Sequence, residues 1–257
     1  MNCALKIEIS KIALEMNDLK TAVDTLENLV CEAETPIIKS LVKDFEINRN
    51  AILVEAYLRV GDAKRAEKLI ESIEDSVKEL EDPFIRTDAK ADIFAGKARI
   101  FLMRGEYERA LEYADEAIIL KERIGKKDYE YMLIKAEALL KLGRKDEAKP
   151  ILEEIYRDSY NDWTRNYALL NLFIISPDEY ENNLRKMIEE FSKSQRVNLI
   201  AHIIMRILRG IIREEDVFLR LCDIIGLISA GRKYMVENIR KSIESLLKEA
   251  KEACKKL

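Results

Sequence analysis

The residues that could do chemistry are few and far apart. One histidine, His202, stands in LIAHIIMRI, an apolar setting in which the ring reads as a core side chain; imidazole-based metal sites draw on more than one such ligand. A single base cannot supply both the activating and the orienting group of a nucleophilic centre. Cysteines 3, 31, 222 and 254 show no metal-like spacing. Cys3 and Cys31 each lie 14 residues from Asn17, so the arms of a hairpin with its apex at Asn17 bring them side by side. They read as two reduced buried thiols, or as a disulfide in a hyperthermophile host. Glu67 and Glu71, near Lys64 and Lys68, have the three- and four-residue spacing of ordinary helix-surface pairs. The stretch Arg123-Ile-Gly-Lys-Lys lacks the second glycine and the preceding strand of a phosphate loop. These residues predict a non-enzymatic chain with no catalytic centre, no metal and no cofactor.

The elements that position the side chains are more legible. In ADIFAGKARIFLMRGEYERALEYADEAIIL, residues 91–120, Phe94, Ala98, Phe101 and Leu102 recur at helical spacing before Gly105. Tyr107, Ala110, Leu111, Ala114, Ala117 and Ile118 do so after it. Gly105 marks the break, since glycine takes the left-handed conformation that ends a helix without a steric cost. The same slots hold Leu53, Val54, Tyr57, Gly61, Ala66, Ile70 and Ile73, and again Met132, Ala136, Leu139, Gly143, Ala148, Leu152 and Ile155. A degenerate first copy has Ile9, Ala13, Asn17, Leu19, Ala22, Leu26 and Leu29, with Asn17 in the glycine slot. The turn positions 17, 61, 105 and 143 are 44, 44 and 38 residues apart.

This pattern resembles the tetratricopeptide repeat, whose first helix carries an aromatic, a Leu-Gly pair and a tyrosine and whose second carries alanine and an aromatic. Phe94, Phe101, Gly105, Tyr107, Ala110 and Ala117 fill its slots; Lys97-Ala98 replaces Leu-Gly, Ala114 the large aromatic and Glu122 the closing proline. The units are longer than the usual 34 or so residues. The resemblance implies an all-α, right-handed α-α superhelix, a tetratricopeptide-like solenoid, whose concave face binds a peptide or protein partner. Carried onto the matching slots, that face is Asn48, Ala51, Glu55 and Arg59, then Asp92, Ala95, Arg99 and Met103, then Glu130, Leu133, Glu137 and Lys141. The two-carboxylate clamp that some relatives use for chaperone C-termini lacks its donors here, with Ile7, Lys11, Asp92 and Gly96 in those positions.

Composition agrees with an all-α reading: 48% hydrophobic, 36% charged, eight Gly and four Pro, with no alternating β-branched run. Abundant Lys, Glu, Arg and Ile beside one glutamine is a thermophile-like bias. Helix pairs are expected over 3–34, around Gly61 after a long helix from about 37, around Gly105, around Gly143, and over 161–191 with Ser176-Pro177 as the turn. Residues 1–194 are thus read as about five repeat pairs. Residues 195–257 are read as apolar helices closed by a capping helix from Lys233 to Lys256, continuous with the solenoid. The apolar segment Leu199–Ile212 carries His202, Arg206 and Arg209 and falls short of the roughly 20 residues that cross a bilayer. No membrane span and no signal segment are expected, which predicts a cytoplasmic protein.

Residues 193–257 hold 14 Lys and Arg against 8 Asp and Glu, leaving 30 against 40 before them. The expected function is therefore a scaffold or adaptor holding a protein or peptide in the groove. The alternative is a regulatory module sensing a ligand or associating with nucleic acid through the basic C-terminal region, which lacks the interleaved aromatics of nucleic-acid sites. A homodimer through the apolar C-terminal helices is a further expectation.

Overall fold

The computed structural model describes residues 3–15, 18–30 and 36–191, together with 220, 240, 241, 244, 245 and 248. Expectations for Asn17, Cys31, His202 and the apolar and capping helices beyond 195 lie outside the described residues. Ten helices are described: α1 Cys3–Glu15, α2 Leu19–Leu26, α3 Pro36–Val60, α4 Ala63–Lys78, α5 Pro83–Arg104, α6 Tyr107–Arg123, α7 Tyr129–Lys141, α8 Lys145–Asp158, α9 Asp162–Ile175 and α10 Pro177–Phe191. Among the described residues there is no strand, and no helix is long and apolar enough to cross a membrane. The chain divides into two compact units, Met1–Ala148 and Lys149–Leu257. The change of composition near residue 195 falls inside the second.

One local arrangement recurs four times. At the end of each first helix a backbone N–H reaches five residues back: Asp18 to Ala13, Asp62 to Tyr57, Glu106 to Phe101 and Arg144 to Leu139, at 2.7 to 2.9 Å. This is the long bond of a Schellman closure, which satisfies carbonyls that the helix itself leaves unpaired. Gly61, Gly105 and Gly143 sit inside three of these closures at φ +87°, +79° and +77°. Four residues further on, Ala22, Ala66, Ala110 and Ala148 each donate to the carbonyl of residue 18, 62, 106 or 144, and each is fully buried. Each methyl is wholly enclosed. Leu26, Ile70, Ala114 and Leu152, then Leu29, Ile73, Ala117 and Ile155, continue the same buried stripe.

Helix starts follow from carboxylate and amide caps. Asp62 accepts from the Arg65 N–H at 3.1 Å, Asp82 from Phe84 and Ile85 at 2.7 and 3.1 Å, and Asn161 from Thr164 at 3.1 Å. Each satisfies first-turn donors that have no partner inside the helix. Pro83 and Pro177 open α5 and α10, positions where a missing N–H costs nothing. The second helix of the first pair is shorter than expected: α2 stops at Leu26, with turn and irregular backbone over 27–30.

In the first unit consecutive helices pack against each other, and α1 also touches α3, α3 touches α5 and α5 touches α7. The first helices of successive pairs thus touch one another as well as the second helices between them. Helix α5 shows the consequence: Ala89, Ala91, Ile93, Ala95, Gly96, Ala98, Ile100 and Phe101 are all buried, because it meets α3, α4, α6 and α7 at once. Such an element shows little one-sided amphipathicity. Its aromatic packing departs from the repeat pattern. The large ring on α6 is Tyr113 rather than residue 114; it stacks on Phe101 at 5.2 Å and meets Phe94 edge-on at 5.7 Å, leaving Ala114 fully buried.

In the second unit α9 and α10 pack together, with Leu169, Leu170, Leu172, Phe173, Leu184 and Ile188 almost wholly buried. Helix α8 is tied to α10 by the Tyr180 hydroxyl donating to Glu153 at 2.9 Å and by Lys149 on Glu179 at 2.7 Å. Cys3 belongs to a disulfide whose other half lies outside the described residues. Its sulfur is 3.7 Å from the carbonyl oxygen of Val30, the residue preceding Cys31 in the chain.

Candidate functional site

A cavity of about 240 Å³ opens between α3, α4, α5 and the start of α7. Its floor is apolar, built from Ile47, Ile52, Val54, Ile70, Ile73 and Ile93. Around them stand Asn48, Ala51 and Glu55 from α3, Asp92, Ala95 and Arg99 from α5, and Glu130 from α7. These seven are slots assigned to the concave face, and they converge because α3 packs on α5 and α5 on α7. Their three- and four-residue spacing within each helix puts them on one side of it.

The other five assigned residues are placed differently. Arg59 is not part of the lining but backs it: its Nε donates to Glu55 at 2.6 Å and its guanidinium also reaches the Leu14 carbonyl at 2.8 Å. Met103 is exposed at the end of α5, Leu133 is buried in the core, Glu137 is half-buried and Lys141 is exposed. None of these lines the cavity.

Charge around the opening is held by cross-helix bonds. The Arg99 guanidinium pairs closely with Glu55, whose other oxygen takes Arg59, and extends to Glu130 at only 3.5 Å. Asp92 accepts from the Tyr131 hydroxyl and, at 2.9 Å, from Lys121. Lys121 in turn pairs with Asp88, and Lys126 closes on the second oxygen of Asp88 at 2.7 Å. The ammonium of Lys121 also lies 5.3 Å from the centre of the Tyr131 ring, within reach of a cation–π attraction.

Burial and neighbouring charges set the protonation of this wall. Burial disfavours the Lys121 ammonium, but the charges and hydrogen bonds of Asp92 and Asp88 outweigh it and raise its pKa above the ordinary value. Burial, then the charge of Asp92, pushes the Tyr131 phenol well up. Asp88 is held below the usual carboxylate range, since burial raises it less than Lys121 and Lys126 lower it. Asp128, which caps α7 through the Glu130 and Tyr131 N–H groups at 2.9 and 3.2 Å, is pushed up by burial and by Glu130. At neutral pH the wall is thus an ammonium locked between two carboxylates, beside a protonated phenol.

Lys121, Asp88 and Tyr131 are absent from the sequence-based site. The signal is visible in retrospect. Lys121 continues the buried stripe Ala110, Ala114 and Ala117 at helical spacing, and Asp88 and Asp92 fall four apart on the preceding helix. A lysine on a core stripe requires a carboxylate partner, and that pair is within reach. Glu67 likewise differs from its expected local pairing: it meets Arg104 of the next helix pair at 2.7 Å.

Among the described residues no group of three or more His, Cys, Asp or Glu is arranged to hold a metal ion. Every carboxylate in the cavity wall meets a cationic side chain, so the arrangement offers apolar volume and charged recognition. No protein-family model matches the chain, and no curated protein matches it.

Proposed function

We propose that this chain is a non-enzymatic interaction module of tetratricopeptide-like design, which holds a peptide or protein partner in the groove formed by its first helices. The observation that carries this reading is the convergence of Asn48, Ala51, Glu55, Asp92, Ala95, Arg99 and Glu130, taken from three helices 44 and 38 residues apart in register, on one apolar-floored cavity. The fourfold recurrence of the Schellman closure and the buried alanine supports a repeat origin for the helices that supply them. The contacts of α1 with α3, α3 with α5 and α5 with α7 support the solenoid part of this reading; its right hand and a C-terminal cap are what the tetratricopeptide-like design implies. A cytoplasmic setting and a protein partner complete the reading.

The size of the cavity favours a macromolecular partner over a cofactor. Small-molecule sites run from about 300 to 1,000 Å³, whereas about 240 Å³ suits one anchoring side chain; an engineered apolar cavity of about 150 Å³ already admits benzene. The test is capture of partners from host extract by the immobilised chain, repeated with Ala51→Trp, which fills the cavity, and with Glu71→Lys on the exposed side of α4. A partner lost with the first variant and kept with the second is the expected result. A partner retained by Ala51→Trp refutes the groove.

A further inference from the structure

We infer that the occupant of this cavity is a basic partner segment that inserts one bulky apolar side chain and directs a lysine or arginine onto Glu130. The inference rests on the groove reading above and goes beyond it in the chemistry of the ligand. The lining holds three carboxylates, Glu55, Asp92 and Glu130, and one guanidinium, Arg99. Their bonds are unequal. Glu55 is occupied by Arg59 and Arg99, and Asp92 by Lys121 and Tyr131. Glu130 has only the 3.5 Å approach of an Arg99 already committed to Glu55, well beyond the roughly 2.7–2.9 Å of a good charge-assisted bond. With its side chain 37% exposed, Glu130 remains open to solvent beside the apolar floor.

The sign of the ligand follows. An acidic segment would meet three carboxylates, and Arg99 would have to leave Glu55 to receive it, uncovering a charge that is 19% exposed. A cation brought to Glu130 displaces nothing and completes its coordination. The apolar floor supplies the anchor, since a large aliphatic or aromatic side chain seated there leaves water. Asn48, exposed on the rim with no side-chain hydrogen bond among the described residues, offers both an amide donor and an acceptor to the main chain of an extended segment.

The probe is a pool of random linear peptides displayed on phage and selected against the full chain. Enriched sequences are expected to pair an aromatic or branched aliphatic residue with a nearby lysine or arginine. Fluorescence anisotropy with one such peptide should show binding abolished by Ala51→Trp and weakened about fivefold by Glu130→Gln, the scale of a partly exposed ion pair. Reselection on Glu130→Lys should invert the preference to aspartate and glutamate. Helix content and melting of each variant, matched to wild type by circular dichroism, guard against misfolding. Enriched acidic peptides that Ala51→Trp still abolishes would overturn the basic ligand and leave the groove standing. Peptides indifferent to Ala51→Trp would overturn both. A pool that yields nothing overturns this inference, while extract partners lost with Ala51→Trp would keep the groove reading intact.

Discussion

At the scale of single residues, Lys121 is the side chain whose environment is furthest from its composition-based expectation. It is buried on a stripe otherwise made of alanine, and two aspartates keep it charged. Removing one partner of a buried pair leaves the other uncompensated; Asp88 keeps Lys126 and Asp92 keeps Tyr131, so Lys121→Met should cost about 2 kcal/mol rather than the roughly 3–5 of a fully buried pair. Urea unfolding measures it. The pH dependence has two limbs. Asp88, lowered from an ordinary 3.8, contributes stability that is present above that value and lost as pH falls through the depressed folded one. Lys121 and Tyr131, raised from 10.5 and 10.0, contribute stability that is complete below those values and lost as pH rises through the folded ones. Asp128, raised from 3.8, adds a loss as pH rises through its folded value; above that, unfolding midpoints should hold steady up to about pH 10, and Lys121→Met should flatten the alkaline limb. The opposite imbalance sits in α9, where the buried Thr164 hydroxyl has no hydrogen-bond partner among the described residues. Thr164→Val keeps the shape and removes the unmet group, for a gain of about 1 kcal/mol; a loss of that size would show that the hydroxyl is bonded.

At the scale of elements, two glycines are needed for different reasons. Gly105 closes α5 at φ +79°, where a β-branched residue is strained, and Gly105→Val should cost about 2 kcal/mol. Gly96 lies inside the same helix with ordinary dihedrals, and its constraint is contact. A Cβ there would stand 2.9 Å from Ile70 Cδ1 and 3.3 Å from Val54 Cγ1. Gly96→Ala gains about 1 kcal/mol of helix propensity, but crowding a packed core costs about 1–3, and Ile70 is buried. A net loss of about 1 kcal/mol is expected, and a more stable variant in thermal melts would show that α5 is less tightly seated on α3 and α4. The spacing of Gly105 between two apolar stripes announces its role in the sequence. Nothing local distinguishes Gly96, because its neighbours belong to helices about 26 and 42 residues earlier in the chain.

At the scale of the molecule, charge separates the two readings of function. Before residue 193 acidic residues outnumber basic ones, 40 against 30, and Glu55, Asp92 and Glu130 line the cavity of the first unit. The chain is expected to pass through a heparin column at about 0.15 M salt, where exposed charges are screened beyond roughly 8 Å; retention there would favour the polyanion-binding reading of the basic C-terminal region. The sequence by itself determined the helices, the turns at Gly61, Gly105 and Gly143 and the buried alanine of each described unit. A 3.6-residue period and a left-handed backbone angle are local properties, and each is written within a few residues. It also determined which residues share one side of each first helix, since one helix is enough to define its own faces. Only the tertiary structure decided which slots share a cavity, why Tyr113 supplies the ring beside Ala114, and how Lys121 comes to Asp88 and Asp92. Those outcomes depend on the axial offset and rotation of one helix against the next. A shift of one residue turns a side chain by about 100° and moves it about 1.5 Å along the axis, enough to make or break every one of these contacts.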